Sequence, residues 1–246
     1  MAKHDELDIV ISNPKVEREE WEALGEILEI SNIMAMSLQE RQKKVNQEIR
    51  HYYGHTFVNL TRNEYEPNYV EPILIETAKE LKVTVSNHRA EDIEDKIMIK
   101  VIEIAREKII KEKGQDAWDK IEKEIQDQLD ELIRLGKIPK DTAEELLKLR
   151  GAAMIAALIG GKLAGFALYI VANQAFFAIA RLLGLRIGVA VAGPIVGGAL
   201  AFLLGPAGFA LAGLTILYDL GNTNWKKVIP SIVIIAAIRK RLAFGF

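Results

Sequence analysis

The sequence predicts an all-α protein, and three observations carry that prediction. Apolar residues recur at helical spacing, as in Trp21, Leu24, Ile27 and Leu28 or in Ile93, Ile97, Val101 and Ile104, the pattern of helices with one buried face. Two such runs follow capping-box signatures, Ser37 with Glu40 and Asp141 with Glu144, in which the first side chain accepts a backbone N–H of the first turn and the second reaches back. No stretch sustains the every-second-residue alternation of a half-buried strand.

Taken in order, residues 1–15 read as a polar lead-in closing at Asn13-Pro14. VEREEWEALGEILEI, from about Val16, forms the first amphipathic helix. Ser37 opens a second, expected to run to about Tyr53 and to stop at Gly54, because glycine weakens a helix interior. The two prolines of NEYEPNYVEP mark a turn and a helix start, and ILIETAKELKV gives a short helix to about Leu81. Ser86 and Asn87 then lead into AEDIEDKIMIKVIEIAREKIIKEKG, and DAWDKIEKEIQDQLDELIRLG repeats the pattern up to Gly136. Lys137-Ile-Pro-Lys140 forms a turn ahead of the Asp141 start. Three regions follow from this pass: 1–35, the lead-in and first helix; 36–140, acidic amphipathic helices; and 141–246, an apolar, Gly-rich helical region.

Charge is divided unevenly. Residues 1–150 carry 24 Lys/Arg against 33 Asp/Glu, whereas residues 151–246 carry 8 Lys/Arg and Asp219 as their single acid. An asymmetry of this kind fits a membrane-facing half, or two halves that pack on each other. The absence of cysteine excludes disulfides and thiolate metal sites and fits a reducing compartment. The acidic start MAKHDELDIV lacks the features of a signal peptide, so a cytoplasmic protein is expected, one that can sit at the inner membrane peripherally or by conditional insertion.

From Gly151 the composition changes. Fourteen of the 18 glycines, Gly151 included, lie in residues 151–246, most of them set among Ala, Leu, Ile and Phe. Three apolar blocks follow, 152–180, 187–218 and 228–238. A bilayer-spanning helix takes about 20 apolar residues. Lys162, Asn173 and Gln174 break up the first block, and the third has 11 residues, a length typical of a buried core helix. The middle block is uncharged over the 32 residues from Ile187 to Tyr218, but Gly193-Pro194 and Gly205-Pro206 cut it into pieces of about 11 to 13 residues, since proline breaks a helix interior. Gly193, Gly197, Ala201 and Gly205 recur every four residues, a spacing that lets helix backbones approach closely in membranes. The same spacing serves a tight soluble core that admits Phe202 and Phe209. The basic residues at the block ends, Arg239-Lys240-Arg241 above all, fit anionic head groups or the acidic first half equally well. The membrane-contact candidates are therefore Gly193, Gly197, Ala201, Phe202, Gly205, Phe209, Arg239, Lys240 and Arg241.

Catalytic signatures are weak. His51 and His55 stand at i and i+4, the spacing of two metal ligands on one helix face, but the glutamate of an HExxH motif is missing and a surface or capping role is expected. His88, beside Asn87, reads as part of a helix cap. GPIVGG and GPAGFALAG have neither dinucleotide-binding spacing nor a Walker lysine, and no basic–aromatic interleaving points to nucleic acid. The sequence therefore predicts no enzyme, no metal, no cofactor and no nucleic-acid partner; a hydrolase using the His51/His55 region is the least supported alternative.

The stretches EIRHYYGHTFVNLTRNEYEPNYVEPILIETAKELKV (48–83), AEDIEDKIMIKVI (90–102) and GPAGFALAGLTILYDLGNTNWKKVIPSIVIIAAIRKR (205–241) resemble the YaaW-like family of uncharacterised bacterial proteins, whose Gly-Pro, Tyr-Asp and Val-Ile-Pro landmarks occur here in the same order. The likeness departs at Asn222-Thr-Asn-Trp225 and in residues 1–35, where the short acidic module of many members is not evident. The middle region is also distantly similar to the helical domain of ubiquinol–cytochrome c chaperones. The resemblance implies kinship without a mechanism. The function expected is that of a non-enzymatic protein that meets the cytoplasmic membrane face through its Gly-rich hairpin. A soluble binding module or assembly chaperone, with a protein partner on the acidic helices, is the alternative. The oligomeric state is left open.

Overall fold

The computed structural model describes residues 5–57, 68–136, 138–149 and 225–243, with the single positions 154 and 157. Those residues form helices and turns, with no strand among them, as the apolar periodicity predicts. The stretch expected as a polar lead-in instead contains a helix, α1 (Glu6–Ile11). Asp5 caps it: its carboxylate accepts the N–H of Leu7 at 3.0 Å and of Asp8 at 3.2 Å, while the Asp8 carboxylate accepts the Asp5 N–H at 3.1 Å. This reciprocal cap sets Leu7, Val10 and Ile11 on one buried side. A helix this short is marginal in isolation, so packing of that side is what holds it.

Helix α2 (Arg18–Ile27) buries Trp21, Leu24, Ile27 and the following Leu28, the face expected from their spacing. Its first turn is closed by the Glu20 carboxylate, which accepts the Glu17 N–H at 2.8 Å. The chain then turns through Glu29, at φ 55°, into a 3-10 turn at Ile33–Ala35 that lies against Gly25. A Cβ on Gly25 would stand 2.6 Å from the Ile33 Cγ2, so glycine is required there by proximity.

Ser37 and Glu40 form the expected capping box, with the Ser37 N–H donating to the Glu40 carboxylate at 2.8 Å and the Glu40 N–H donating to the Ser37 Oγ at 3.3 Å. The helix they open, α3 (Leu38–Phe57), continues through Gly54 instead of stopping there. An internal glycine costs about 1 kcal/mol, which the buried contacts of Val45, Ile49 and Tyr53 exceed. The Asn68 side chain accepts the N–H groups of Val70 and Glu71 at 2.9 and 3.1 Å, turning the chain into α4 (Ile73–Glu80).

Helix α5 (Ala90–Lys113) and helix α6 (Gln115–Arg134) meet at Gly114, whose φ is 87°. The α6 stripe of Trp118, Ile121, Ile125 and Leu129 is buried against α5, at the three- and four-residue steps of one helix face. Helix α7 (Lys140–Lys148) then packs on α6. Its start corrects the expected Asp141–Glu144 capping box: Pro139 is the N-cap residue, at ψ 143° and with no side-chain cap. Asp141 therefore falls inside the first turn, where a carboxylate favours the helix dipole without capping.

Helix α8 (Trp225–Ala243) contains the third apolar block. It packs against α1, α2, α3, α4 and α5, and its residues from Val228 to Ile238 are buried on every side. A helix that is apolar all round belongs in a protein interior, and this one is the centre of the fold. Pro230 lies within it and withdraws one backbone donor; the next residue, Ser231, returns its hydroxyl to the Lys227 carbonyl at 2.8 Å. The resulting core is one cluster reaching from Leu7 to Ile238.

Gly25→Ala is expected to destabilise the protein by about 1–3 kcal/mol, the cost of overpacking a filled site. Ile33→Ala in the same chain should recover part of that loss in urea denaturation. An unchanged midpoint for Gly25→Ala would show that the turn yields freely.

Candidate functional site

The densest chemistry among the described residues lies at the last turn of α8, where Arg239, Lys240 and Arg241 each meet carboxylates from other elements. Arg241, 7% exposed, holds the 3%-exposed Glu20 by two hydrogen bonds of 2.8 and 2.7 Å. It also donates to the Lys15 carbonyl at 2.8 Å and pairs with Glu17 at 3.3 Å. Lys240 pairs with Asp95 at 2.7 Å. Arg239 donates to Glu94 at 2.9 Å and 3.3 Å, to the Glu6 carboxylate at 2.8 Å and to the Glu6 carbonyl at 3.2 Å. Planar guanidinium groups suit such bidentate, multiply bonded pairing.

A second layer extends the lattice. Glu94, 1% exposed on its side chain, accepts the Tyr69 hydroxyl at 3.0 Å. The Tyr69 N–H donates to Asp5 at 3.0 Å, and Arg50 donates to the same Asp5 oxygen at 2.7 Å. Arg50 also bonds Asn46 at 2.5 Å, and Asn46 donates to Asp8. The polar chain thus joins α8, α5, the turn before α4, α1 and α3.

Burial drives the Glu94 carboxyl above the usual carboxylate range, although Arg239 and the Tyr69 hydroxyl pull it down. Asp95 is likewise pushed up by burial, against the pull of Lys240. Burial raises the Tyr69 phenol far above its ordinary value, and the neighbouring Glu94 charge adds to the shift. That phenol is consequently a hydrogen-bond donor and no base. Asp5 behaves oppositely: burial pushes it up, but the Arg50 guanidinium and the backbone N–H groups outweigh this and hold it below its usual value.

Arg239, Lys240 and Arg241 had two roles open to them, anionic head groups or the acidic first half of the chain. In the described structure they are engaged with the second. The other contact candidates, Gly193, Gly197, Ala201, Phe202, Gly205 and Phe209, lie outside the described residues, as does the expected covering of the 187–218 block. No helix among the described residues is long and apolar enough to cross a membrane.

His51 and His88 stand apart from the lattice, and the side chain of His55, the other half of the expected pair, lies outside the described residues. His51 is exposed on α3, its ring edge-on to Tyr52 at 5.8 Å. His88 pairs with Glu71, and it is the Asn87 side chain that accepts the Arg89 N–H, at 3.1 Å. The cap expected to involve His88 is therefore made by its neighbour. His88, Glu71, Arg89, Glu91, Asn68 and Glu6 line an open pocket of about 640 Å³. Its acids and bases are already paired, His88 with Glu71 and Arg89 with Glu91. No group of three metal-ligating side chains occurs among the described residues.

Sequence reasoning singled out the basic triplet but not its acids. Glu20 and Glu94 each stand on the apolar side of an amphipathic helix, beside Trp21 and Ile93. A carboxylate at such a position signals a buried partner, because an unpaired buried charge is costly. Comparison of the chain with models of known protein families, with curated proteins and with solved structures finds no match.

Two outcomes follow. Arg241→Met leaves Glu20 buried without its partner and should cost about 3–5 kcal/mol, whereas Arg241→Met with Glu20→Gln should recover much of it; chemical denaturation measures both. Asp5→Asn keeps a capping side chain and removes the charge. A carboxyl held below its unfolded value of about 3.9 stabilises the fold above that pH, and the contribution is lost as pH falls through the folded value. The stability gap between the parent and Asp5→Asn should accordingly be constant above about pH 5 and close below about pH 4. A gap that widens in acid would contradict the assignment.

Proposed function

We propose that this chain is a non-enzymatic helical protein that attaches to the cytoplasmic membrane face through its apolar, Gly-rich segment, with the helices α1–α8 as the scaffold. The observation that carries the proposal is the 32-residue uncharged run from Ile187 to Tyr218, which falls between two helices, α7 and α8, that are packed into the scaffold. Its four-residue glycine repeat suits close helix packing in lipid. The lattice at the end of α8 changes one part of the picture. The cations of 239–241 hold the scaffold together and Lys227 is paired with Glu29, so the attachment rests on the apolar segment itself.

Kinship with the YaaW-like family is part of the same proposal. Val228, Ile229 and Pro230, the Val-Ile-Pro landmark of that likeness, are buried in α8.

Flotation with vesicles tests the attachment. The protein should rise with vesicles rich in anionic lipid at neutral or mildly acid pH, and Ala199→Asp, which places a charge within the uncharged run, should leave it in the dense fraction. A charged residue at the centre of a membrane helix costs about 2.5–3.5 kcal/mol, roughly a hundredfold in partitioning. Failure of the parent protein to float at either pH overturns the proposal.

A further inference from the structure

We infer that Asp95 and Lys240 form a proton-released latch at the end of α8: in mild acid Asp95 takes up a proton from solution and the Lys240 ammonium leaves it for water, while the two arginines keep the helix docked. The device belongs to the scaffold and does not depend on the attachment proposed above. Consecutive residues of α8 meet consecutive residues of α5 here, Arg239 with Glu94 and Lys240 with Asp95, but the two pairs are built differently. Glu94 accepts from Arg239 at 2.9 and 3.3 Å and from the Tyr69 hydroxyl at 3.0 Å, so its charge is met by directed donors. The Asp95 Oδ1 stands 2.7 Å from the Lys240 Nζ, yet the two are not aligned as a hydrogen bond and that oxygen is sealed from water. A carboxylate oxygen withdrawn from water and lacking a directed donor favours binding a proton.

The charges around Asp95 act in the same direction. On its own helix Glu91, Asp92 and Glu94 precede it closely, and Arg89 meets the first two, at 3.5 Å and 3.9 Å. α1 contributes Glu6, already bonded to Arg239. Of the other elements packed on α5, α4 carries Glu76 and Lys79, and the last turn of α6 carries Glu131 and Arg134, each pair joined within itself. Among the described residues Asp95 thus has one cation against it and several acids beside it. Burial pushes its carboxyl up, and the Asp92 and Glu91 charges push the same way, against the pull of Lys240.

Release is local because the neighbouring cations have further partners. The Lys240 side chain is 22% exposed, and a long lysine stem carries its ammonium to water by rotation. Arg239 also holds the Glu6 carboxylate and carbonyl, and Arg241 holds Glu20 and the Lys15 carbonyl. The last turn of α8 therefore keeps its seat in acid while its surface gains a free ammonium.

Carboxyl and lysine side-chain signals in the NMR spectrum of the full chain, followed through an acid titration, test the latch; Asp95→Asn and Lys240→Met assign the two signals. The Asp95 carboxyl should titrate with a midpoint above that of a free aspartate, about 3.9, and the Lys240 signal should move with the same midpoint. Lys240→Met should raise the Asp95 midpoint further. A midpoint at or below that of free aspartate, or a Lys240 signal that does not follow it, overturns the latch. Stability gives a second reading, opposite in sign to that of Asp5. A carboxyl raised in the fold binds its proton more tightly there than in the unfolded chain, so its contribution is fully present below about pH 3.9 and is lost as pH rises through the folded value. In urea denaturation the parent should therefore gain on Asp95→Asn as pH falls, whereas it loses its advantage over Asp5→Asn. A parent that holds level with Asp95→Asn, or loses to it in acid, overturns the latch as well.

Discussion

Everything in this fold depends on how an almost wholly apolar helix is held at one position. The middle of α8 offers Val, Ile and Ala on every side, and burial of that surface is non-directional. It draws the helix inside but does little to choose its rotation or its height among the described helices around it. The choice comes from the last turn. Arg239 and Arg241 can be buried only where carboxylates wait for them, and those carboxylates stand on α1, α2 and α5. A slip of one residue would strand charges that are 12% and 7% exposed. Buried ion pairs contribute little net stability over apolar replacements, but they penalise misalignment heavily. Here that penalty sets the register of the core.

The same constraint explains the N-terminal residues. Glu6 and Asp5 belong to α1 and its cap, and each is tied to a cation from elsewhere, Arg239 and Arg50. A six-residue helix gains little from its own backbone, yet this one is fixed because its carboxylates complete the lattice and its Leu7, Val10 and Ile11 close the core. α1, α2, α5 and α8, separated by up to some 230 positions along the chain, are thus held through one set of charges.

Much of this was legible in the residues. The all-α class, the buried face of α2, the Ser37 cap and the burial of the 228–238 block followed from spacing and from length. Other features were hidden for physical reasons. α1 is too short for periodicity to speak, though Asp5-x-x-Asp8 ahead of Val10 and Ile11 spelled its cap. Gly54 is a local breaker overruled by packing that only the folded chain supplies. Pro139, and not the carboxylate two residues on, sets the start of α7. The charge asymmetry between the two parts of the chain was visible, and so were its two explanations. What the sequence did not rank was their strength, because ranking requires knowing which acids are buried. Glu20 and Glu94 look like any other carboxylates until their neighbours in space are known.

The site looks different once this lattice is in place. A basic triplet at the end of an apolar block resembles a lipid anchor, but cations that have already exchanged water for carboxylates lose those partners if they turn to head groups. Releasing Arg241 alone would leave Glu20 buried and unpaired, a cost that a single exposed lipid contact, worth about 1 kcal/mol per cation, does not offset. The attachment proposed for this chain therefore rests on the uncharged run itself, from Ile187 to Tyr218, and not on the basic triplet. The scaffold's part is then mechanical. It grips α8, the helix that follows that run in the chain, along its whole length, through contacts with α1, α2, α3, α4 and α5.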